Sequence, residues 1–355
     1  MEKKLFIPGP VSVRKDVLEK MATPMIGHRS KDASALQRGI SEKLQKLFYT
    51  KNEILLSTSS GSGLMEGAVK SCTRKRAAIF SIGAFGDRWY EMAVSNGVPA
   101  DKFSTELGRA TLPEEVEKEL ATGRYDLVTI THNETATGVS CPIEEISEVM
   151  KRYPDIIWCV DTVSSMGGVK IDVDQLGIDL CITSSQKCLG LPPGMAICSI
   201  SEKAVEAAKQ VPYRGFYFDL LALYKYVKTK DYQYPSTPSL SHMFAMDYQL
   251  DRILEEGLEN RYRRHKEMAD FVREWAKAEF ELFAEEKYAS DTVTAIRNTR
   301  GIDIGDLNKK LGEYGYVISN GYGTLKDKTF RIAHMADTTL KDIKTLIGTI
   351  NHILE

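Results

Sequence analysis

Short apolar runs alternate with amphipathic stretches between about residues 50 and 200. The apolar runs are rich in β-branched residues and predict buried strands, because a strand covered on both faces has no polar side to show. The predicted strands are 54–57, 77–82, 127–130, 156–160 and 180–183. Helical periodicity lies between them and predicts helices at 63–72, 87–96 and 143–153. This order predicts an α/β domain with a mostly parallel sheet flanked by helices.

The hydrophobic pattern changes after the loop-rich stretch 211–241. One long amphipathic helix is predicted over 241–277, and Gly257 within it predicts a bend or a break. The rest alternates as strand 292–297, helix 303–314, strand 316–319, strand 329–333 and helix 340–354. Because this is an α+β pattern of its own, we predict an N-terminal arm (1–15), a large domain (16–256) and a smaller C-terminal α+β domain (257–355).

Composition limits the class of partner. The chain has 355 residues, 43% hydrophobic and 27% charged, with a formal net charge of −2. No basic excess would draw it to nucleic acid or to an anionic membrane surface, so a small-molecule partner is expected. No apolar run reaches the ~18 residues of a membrane span, and no secretory signal is visible. The six cysteines form no C-x-x-C pair, so we expect reduced, structural cysteines in the cytoplasm.

The strongest chemical signal is a lysine on a turn after a predicted strand. Lys187 follows the strand 180–183 and the small residues Ser184 and Ser185. A lone lysine is usually a solvated charge. Here small neighbours let a ligand approach, and the turn lies where α/β sheets place their ligand sites. The pattern therefore favours an amine that faces a ligand.

Two further turns support the same site. Asp161 follows another predicted strand, 26 positions before Lys187, so the two side chains can face one cleft. An isolated aspartate there is more commonly a helix cap. The turn 59–64 carries small residues before a helix, which suits phosphate. Its glycines do not follow G-x-G-x-x-G and no Walker lysine follows, which argues against a dinucleotide fold and a P-loop.

Together these residues resemble class V aminotransferases of pyridoxal 5'-phosphate (PLP) fold type I. Within that class the chain is most similar to the alanine–glyoxylate and serine–pyruvate aminotransferase branch. The resemblance covers nearly the whole chain. It rests on ordered motifs, namely Pro8-Gly9-Pro10, residues 26–30, residues 131–138, Asp161-Thr162-Val163, residues 184–187, Tyr234 with Thr237-Pro238, and Phe330-Arg331-Ile332.

The resemblance implies a role for each matching residue. Lys187 would hold PLP as a Schiff base, and Asp161 would keep the pyridine nitrogen protonated so that the ring withdraws electrons. Arg331 would clamp the substrate carboxylate, since a planar guanidinium binds it in bidentate fashion. The other implied cofactor contacts are Ser62, Gly63 and the Leu64 backbone at the phosphate, Gln186 beside them, Phe85 stacked on the pyridine, Val163 on the opposite ring face, and Thr135 near the phenolic oxygen.

Some implied roles extend beyond one chain. Tyr234 and Thr237 match residues that reach the phosphate of a neighbouring subunit, which implies a homodimer with a shared active site. Leu64 departs from several relatives, which carry histidine there. His28 and Arg29 could line the substrate entrance or anchor a loop. The aromatic residues of 214–218 could face the substrate, but core or dimer surface is the more common place for such residues.

The expected activity is transfer of an amino group from a small L-amino acid, alanine or serine, to a 2-oxo acid such as glyoxylate or pyruvate. A 2-aminoethylphosphonate or phosphoserine-type aminotransferase stays open, since sequence alone cannot place the extra cations that it needs. Cysteine desulfurase chemistry is disfavoured because no cysteine follows Cys198. A non-catalytic protein of the same fold would be expected to lose Lys187 or Asp161. The scattered histidines predict no metal site.

Overall fold

The computed structural model describes residues 3–355 and contains two main β-sheets. The strands are, in chain order, β1 (Lys4–Phe6), β2 (Glu53–Ser57), β3 (Ala77–Ser81), β4 (Ala100–Ser104), β5 (Leu127–Thr131), β6 (Asn133–Glu134), β7 (Val139–Ser140), β8 (Ile157–Asp161), β9 (Leu180–Ser184), β10 (Ala196–Ile200), β11 (Glu281–Leu282), β12 (Val293–Arg297), β13 (Tyr316–Asn320) and β14 (Thr329–Ala333).

The helices surround these sheets. They are α1 (Lys15–Lys20), α2 (Lys31–Phe48), α3 (Gly61–Cys72), α4 (Ala84–Ser95), α5 (Pro113–Leu120), α6 (Ile143–Met150), α7 (Val173–Leu176), α8 (Glu202–Lys209), α9 (Leu220–Thr229), α10 (Leu240–Glu256), α11 (Leu258–Glu279), α12 (Ile304–Glu313) and α13 (Leu340–Leu354). None of the helices in residues 3–355 combines the length and apolar character that a membrane crossing requires.

The larger sheet has seven strands in the order β2-β10-β9-β8-β5-β3-β4. The run from β9 to β4 is parallel, whereas β10 is antiparallel to both of its neighbours. Alternate residues of β2 pack into different cores, Ile54 and Leu56 into one and Leu55 into the other. Because successive side chains of a strand point to opposite faces, both faces of the sheet are covered. The predicted α/β class with a mostly parallel sheet is confirmed.

The smaller sheet has five strands in the order β1-β13-β14-β12-β11. Its C-terminal strands and helices occur where the sequence pattern predicts them. The edge strand β1 comes from the segment predicted as an arm, and it pairs in parallel with β13. Phe6 provides the reason, because it is fully buried in the core of this sheet beside Ile318. The boundaries 16–256 and 257–355 stay a prediction.

The helix predicted over 241–277 is broken into α10 and α11. Gly257 separates them with φ of +81°, a left-handed conformation that glycine adopts without steric cost. The turn brings Arg261, fully buried in α11, against the loops that follow β8 and β9. Its guanidinium donates to the carbonyl oxygens of Gly167 (2.9 Å) and Cys188 (2.6 Å). The second helix thereby holds the backbone directly after Lys187.

Candidate active site

A cavity of about 380 Å³ opens at the C-terminal ends of the parallel strands. The turns after β2, β3, β8 and β9 contribute to its walls, since parallel strands end at one edge of the sheet. The predicted site residues that line it are Ser62, Phe85, Asp161, Val163, Gln186 and Lys187. The structure therefore brings the amine and the carboxylate into one space. Their roles toward a cofactor stay predictions.

Lys187 lies three residues past β9 and is only 7% exposed. Its Nζ donates a hydrogen bond to the Pro8 carbonyl oxygen. Gly9 has φ of +96°, and a Cβ there would lie 2.6 Å from Lys187 Cδ, so the amine depends on glycine at that position. Burial lowers the pKa of Lys187 to about 8. A larger share of the amine is therefore neutral near neutral pH, the form that acts as a nucleophile or base.

Asp161 is buried and is the last residue of β8, which extends one residue beyond the predicted strand 156–160. Its Oδ1 accepts a hydrogen bond from the Val163 backbone N–H at 2.9 Å. Burial raises the pKa of Asp161 to about 6, against the lowering effect of that N–H and of Lys187. The carboxylate is thus a fixed acceptor at the cavity wall, suited to a protonated ring nitrogen.

The predicted phosphate turn forms the N-terminus of α3, with Ser60 as the N-cap residue. Close packing requires its glycines. A Cβ on Gly63 would lie 2.5 Å from Phe218 Cε1, and one on Gly61 would lie 2.9 Å from Val163 Cγ2. Leu64 is fully buried in the core, so its side chain is directed away from ligands and only its backbone could contact one. A helix N-terminus of this kind suits an anion.

Two buried polar atoms at the cavity have no hydrogen-bond partner within residues 3–355. They are Ser184 Oγ and Gln186 Oε1, and both residues line the cavity. A buried polar group without a partner costs free energy, and at a cavity wall a bound ligand or water can supply the missing partner. The Ser184 hydroxyl can donate to a phosphate oxygen, whereas Gln186 Oε1 can only accept, so together the two atoms fit a polar ligand. Ser184 was noted from the sequence only as a small residue before Lys187, and its hydroxyl was missed as a candidate contact.

An aromatic and cationic cluster forms another wall. The Phe85 ring centre lies 5.7 Å from that of Tyr322 with an angle of 30° between the planes. The Arg88 guanidinium carbon lies 4.8 Å from the Phe85 ring centre, and Lys187 Nζ lies 6.0 Å from it. Sequence reasoning missed Arg88 and Tyr322. The i, i+3 spacing of Phe85 and Arg88 on α4 was a usable signal, because residues so spaced share a helix face.

Arg331 lies in β14 and is 7% exposed. Its Nε and Nη2 donate to the Asn320 carbonyl oxygen at 3.1 and 3.0 Å, and Nη1 donates to that of Thr135 at 3.0 Å. Burial lowers the pKa of Arg331 to about 10. The guanidinium carries more N–H groups than these bonds use, and it lies 5.7 Å from the Tyr322 ring centre. It is a buried cation able to accept an anionic partner.

The remaining predicted residues have different surroundings. Thr135 is buried, and its hydroxyl lies 2.6 Å from that of Ser164. Tyr234 is 4% exposed, and its hydroxyl accepts from the Thr58 N–H of the same chain at 3.3 Å, while its reach toward a neighbouring subunit stays a prediction. Thr237 is exposed. Arg29 donates to the Tyr234 carbonyl oxygen at 2.5 Å, which favours the loop-anchor interpretation.

Glu134 is a buried carboxylate that sequence reasoning assigned no role. One of its oxygens accepts from the backbone N–H groups of Phe85 (2.8 Å) and Gly86 (3.2 Å), and the other accepts from Ala136 at 3.0 Å. It therefore ties the start of α4 to the loop that carries Thr135. Burial raises the pKa of Glu134 to about 7, although the three N–H groups oppose the shift. The signal in the sequence was a glutamate inside an otherwise small and polar motif.

The raised pKa of Glu134 predicts a pH effect on stability. The folded protein holds this proton more tightly than the unfolded chain, in which the pKa of a glutamate is about 4.5. The protonated Glu134 therefore adds to the free energy of unfolding at low pH, and this contribution is lost as pH rises toward 7. Between pH 4.5 and 7.5, the free energy of unfolding should fall by roughly 2–3 kcal/mol less in Glu134→Gln than in wild type, because glutamine does not titrate. Denaturant unfolding at several pH values measures it, with the exposed Glu106→Gln as control. Parallel pH profiles for Glu134→Gln and wild type would contradict the assignment.

Comparison with known proteins gives the class of enzyme. The family model for aminotransferase class V matches residues 13–346. The chain therefore belongs to the class V aminotransferases, and the predicted family, fold type and enzyme class are confirmed.

Individual relatives match over nearly the whole chain. An uncharacterised aminotransferase of Methanocaldococcus jannaschii is 40% identical over 100% of this chain and 93% of its own length. A serine–glyoxylate aminotransferase of Methylorubrum extorquens is 31% identical, over 98% of this chain and 89% of its own length. The crystal structure of an alanine–glyoxylate aminotransferase from Nostoc superposes with a TM-score of 0.93 at 27% identity, covering 100% of this chain and 96% of that one.

Proposed function

We propose that this chain is a PLP-dependent aminotransferase that moves the amino group of a small L-amino acid, alanine or serine, to a 2-oxo acid such as glyoxylate or pyruvate. The observation that carries the proposal is the convergence of Lys187 and Asp161 on one cavity at the strand ends. The relatives named for serine–glyoxylate and alanine–glyoxylate transfer support the choice of substrates.

The cofactor would be held by the residues that converge on this cavity. Lys187 would be its covalent anchor, Asp161 the partner of its ring nitrogen, and the 60–64 turn with Gln186 its phosphate site. Phe85 and Val163 would hold its ring between them, and Thr135 would serve its phenolic oxygen. When bound, PLP supplies an electron-withdrawing ring that stabilises negative charge at the substrate Cα. The partnerless Ser184 hydroxyl, which can donate to a phosphate oxygen, supports this assignment.

The protein side chains would then perform distinct tasks. The Lys187 amine is partly neutral near neutral pH, so it can take a proton from the substrate Cα and then return that proton to a neighbouring atom. Asp161 would hold a proton at the ring nitrogen by its negative charge. Arg331 would bind the substrate carboxylate through its unused N–H groups, which fixes the orientation of the Cα–H bond.

We further propose that the enzyme works as a homodimer in the cytoplasm. Phe216 is 94% exposed and Tyr213 is also largely exposed, on a segment whose Phe218 contacts the phosphate turn at Gly63. Large exposed aromatic side chains mark interaction surfaces, and a second copy would cover them beside the cofactor site. Thr237, also exposed, would be available to that copy. The six buried, unpaired cysteines suit a reducing compartment.

A donor screen tests the proposed activity. We expect L-alanine or L-serine to discharge the visible absorbance of the PLP-loaded protein, and glyoxylate or pyruvate to restore it. D-alanine and D-serine are the matched controls, because Arg331 and Lys187 would present only one face of the Cα correctly. Reaction with phosphoserine or 2-aminoethylphosphonate alone would favour that alternative. A spectrum that no amino donor changes would contradict the aminotransferase assignment.

A further inference from the structure

Tyr322 connects the smaller sheet to a helix of the larger sheet at the cavity. It lies in the loop between β13 and β14 of the smaller sheet, yet its ring stacks on Phe85 of α4, which follows β3 of the larger sheet. It lines the cavity and is 40% exposed. A side chain so placed borders the space that a substrate must enter. None of the contacts assigned above to the cofactor involves it.

The Tyr322 hydroxyl has an unused hydrogen-bond donor. Arg88 Nη2 donates to its oxygen at 3.3 Å. A phenol accepts through its oxygen and donates one hydrogen, and no acceptor for that hydrogen is found within residues 3–355. A guanidinium that donates to the phenol oxygen also polarises the O–H group and makes it a stronger donor. The O–H group of Tyr322 is therefore free to donate a hydrogen bond to an oxygen atom of a ligand.

Charge near Tyr322 favours the same kind of ligand. Arg88 and Arg331 both lie against it, Arg331 with its guanidinium carbon 5.7 Å from the ring centre. Neither arginine forms an ion pair with a carboxylate in the part of the chain that the structure describes. If Arg331 binds the α-carboxylate of the donor, the donor's side chain comes close to Tyr322. An oxygen on that side chain would meet an O–H donor supported by a cation.

We propose that Tyr322 is a specificity-determining residue, whose hydroxyl recognises an acceptor oxygen on the side chain of the amino donor. The inference rests on the proposed function and makes it more specific. It ranks donors with a side-chain oxygen above alanine, which has only a methyl group. Alcohol, carboxylate and phosphate oxygens share the required chemistry.

Tyr322→Phe tests the proposal, because it removes the hydroxyl and keeps the ring that stacks on Phe85. For the PLP-loaded enzyme we expect the ratio of kcat/KM for L-serine to that for L-alanine to fall roughly 10-fold, the loss of one hydrogen bond. The value for alanine itself should change less than about 2-fold, since alanine cannot use the bond. Tyr314→Phe, an exposed tyrosine after α12, is the matched control and should leave the ratio unchanged.

Further donors identify which oxygen is preferred. L-Aspartate and O-phospho-L-serine are measured beside serine, and the donor whose ratio to alanine falls most in Tyr322→Phe is the one that the hydroxyl serves. Unchanged ratios for all three, with alanine turnover intact, would overturn the role of Tyr322 and leave the aminotransferase assignment standing. Failure of the wild-type enzyme with every donor would instead overturn the proposed function and this inference with it. Tyr322→Leu, without a hydroxyl, should repeat the result of Tyr322→Phe.

Discussion

Replacing Lys187 with alanine is expected to lower transamination roughly 10⁴-fold or more, while the protein stays folded. The variant loses the nucleophile and the acid–base group together, and acid–base catalysis alone contributes about 10²–10⁴-fold. The side chain is buried, and its one hydrogen bond to a partner in residues 3–355 is to the Pro8 carbonyl oxygen, so its loss should be tolerated structurally. Steady-state turnover with the best donor measures the effect, and circular dichroism checks the fold.

Covalent trapping separates a chemical role of Lys187 from a structural one. After borohydride reduction, wild-type protein should carry a PLP mass adduct on the peptide that contains Lys187, and the alanine variant should carry none. Lys118→Ala, at an exposed surface position, is the control for a lost lysine. Small primary amines added to Lys187→Ala should restore part of the activity, because they can occupy the vacated space and transfer the proton. Full activity without added amine would exclude Lys187 from the chemistry.

The predictable part of the fold consists of elements with a strong periodic signal. Strands such as β5 and β9 are short runs of apolar and β-branched residues, a pattern that favours a buried strand. The reversed direction of β10 was not predictable, because periodicity carries no information on strand direction. Edge strand β1 was also missed. Three residues in a short N-terminal segment give no periodicity, and Phe6 reveals its role only when the distant β13 lies beside it.

The candidate site was predictable where several turns that suit the same ligand follow predicted strands. Lys187 and Asp161 fall in this group, and the structure places both on the same cavity. Glu134 and Tyr322 were not predictable, since their roles depend on contacts with α4 that span long stretches of sequence. For Tyr234, the structure of one chain gives the hydrogen bond that its hydroxyl accepts from the Thr58 N–H, and its contact with a neighbouring subunit stays a prediction.

The second large effect is expected from Asp161→Asn. The amide oxygen can still accept the Val163 N–H, so the turn should keep its shape, but the negative charge opposite the ring nitrogen is lost. Removing one partner of a buried ion pair costs roughly 3–5 kcal/mol, so kcat should fall about 10²- to 10⁴-fold. Asp179→Asn is the matched control. Asp179 is likewise buried, accepts the Trp158 N–H at 2.9 Å and pairs with Lys203 at 2.7 Å, but it lies outside the cavity.

The pH dependence of cofactor binding makes this prediction specific to charge. Burial raises the pKa of Asp161 to about 6, so in the cofactor-free protein the carboxylate gains its charge as pH rises through that value. PLP affinity should therefore weaken as pH falls from 7 to 5 in wild type and in Asp179→Asn. The asparagine at position 161 cannot titrate. Asp161→Asn should therefore lack this loss of affinity at acid pH (the acid limb of the profile) and should bind PLP weakly at both pH 5 and pH 7. An unchanged acid limb in Asp161→Asn would assign the titration to another group and remove Asp161 from the ring-nitrogen contact.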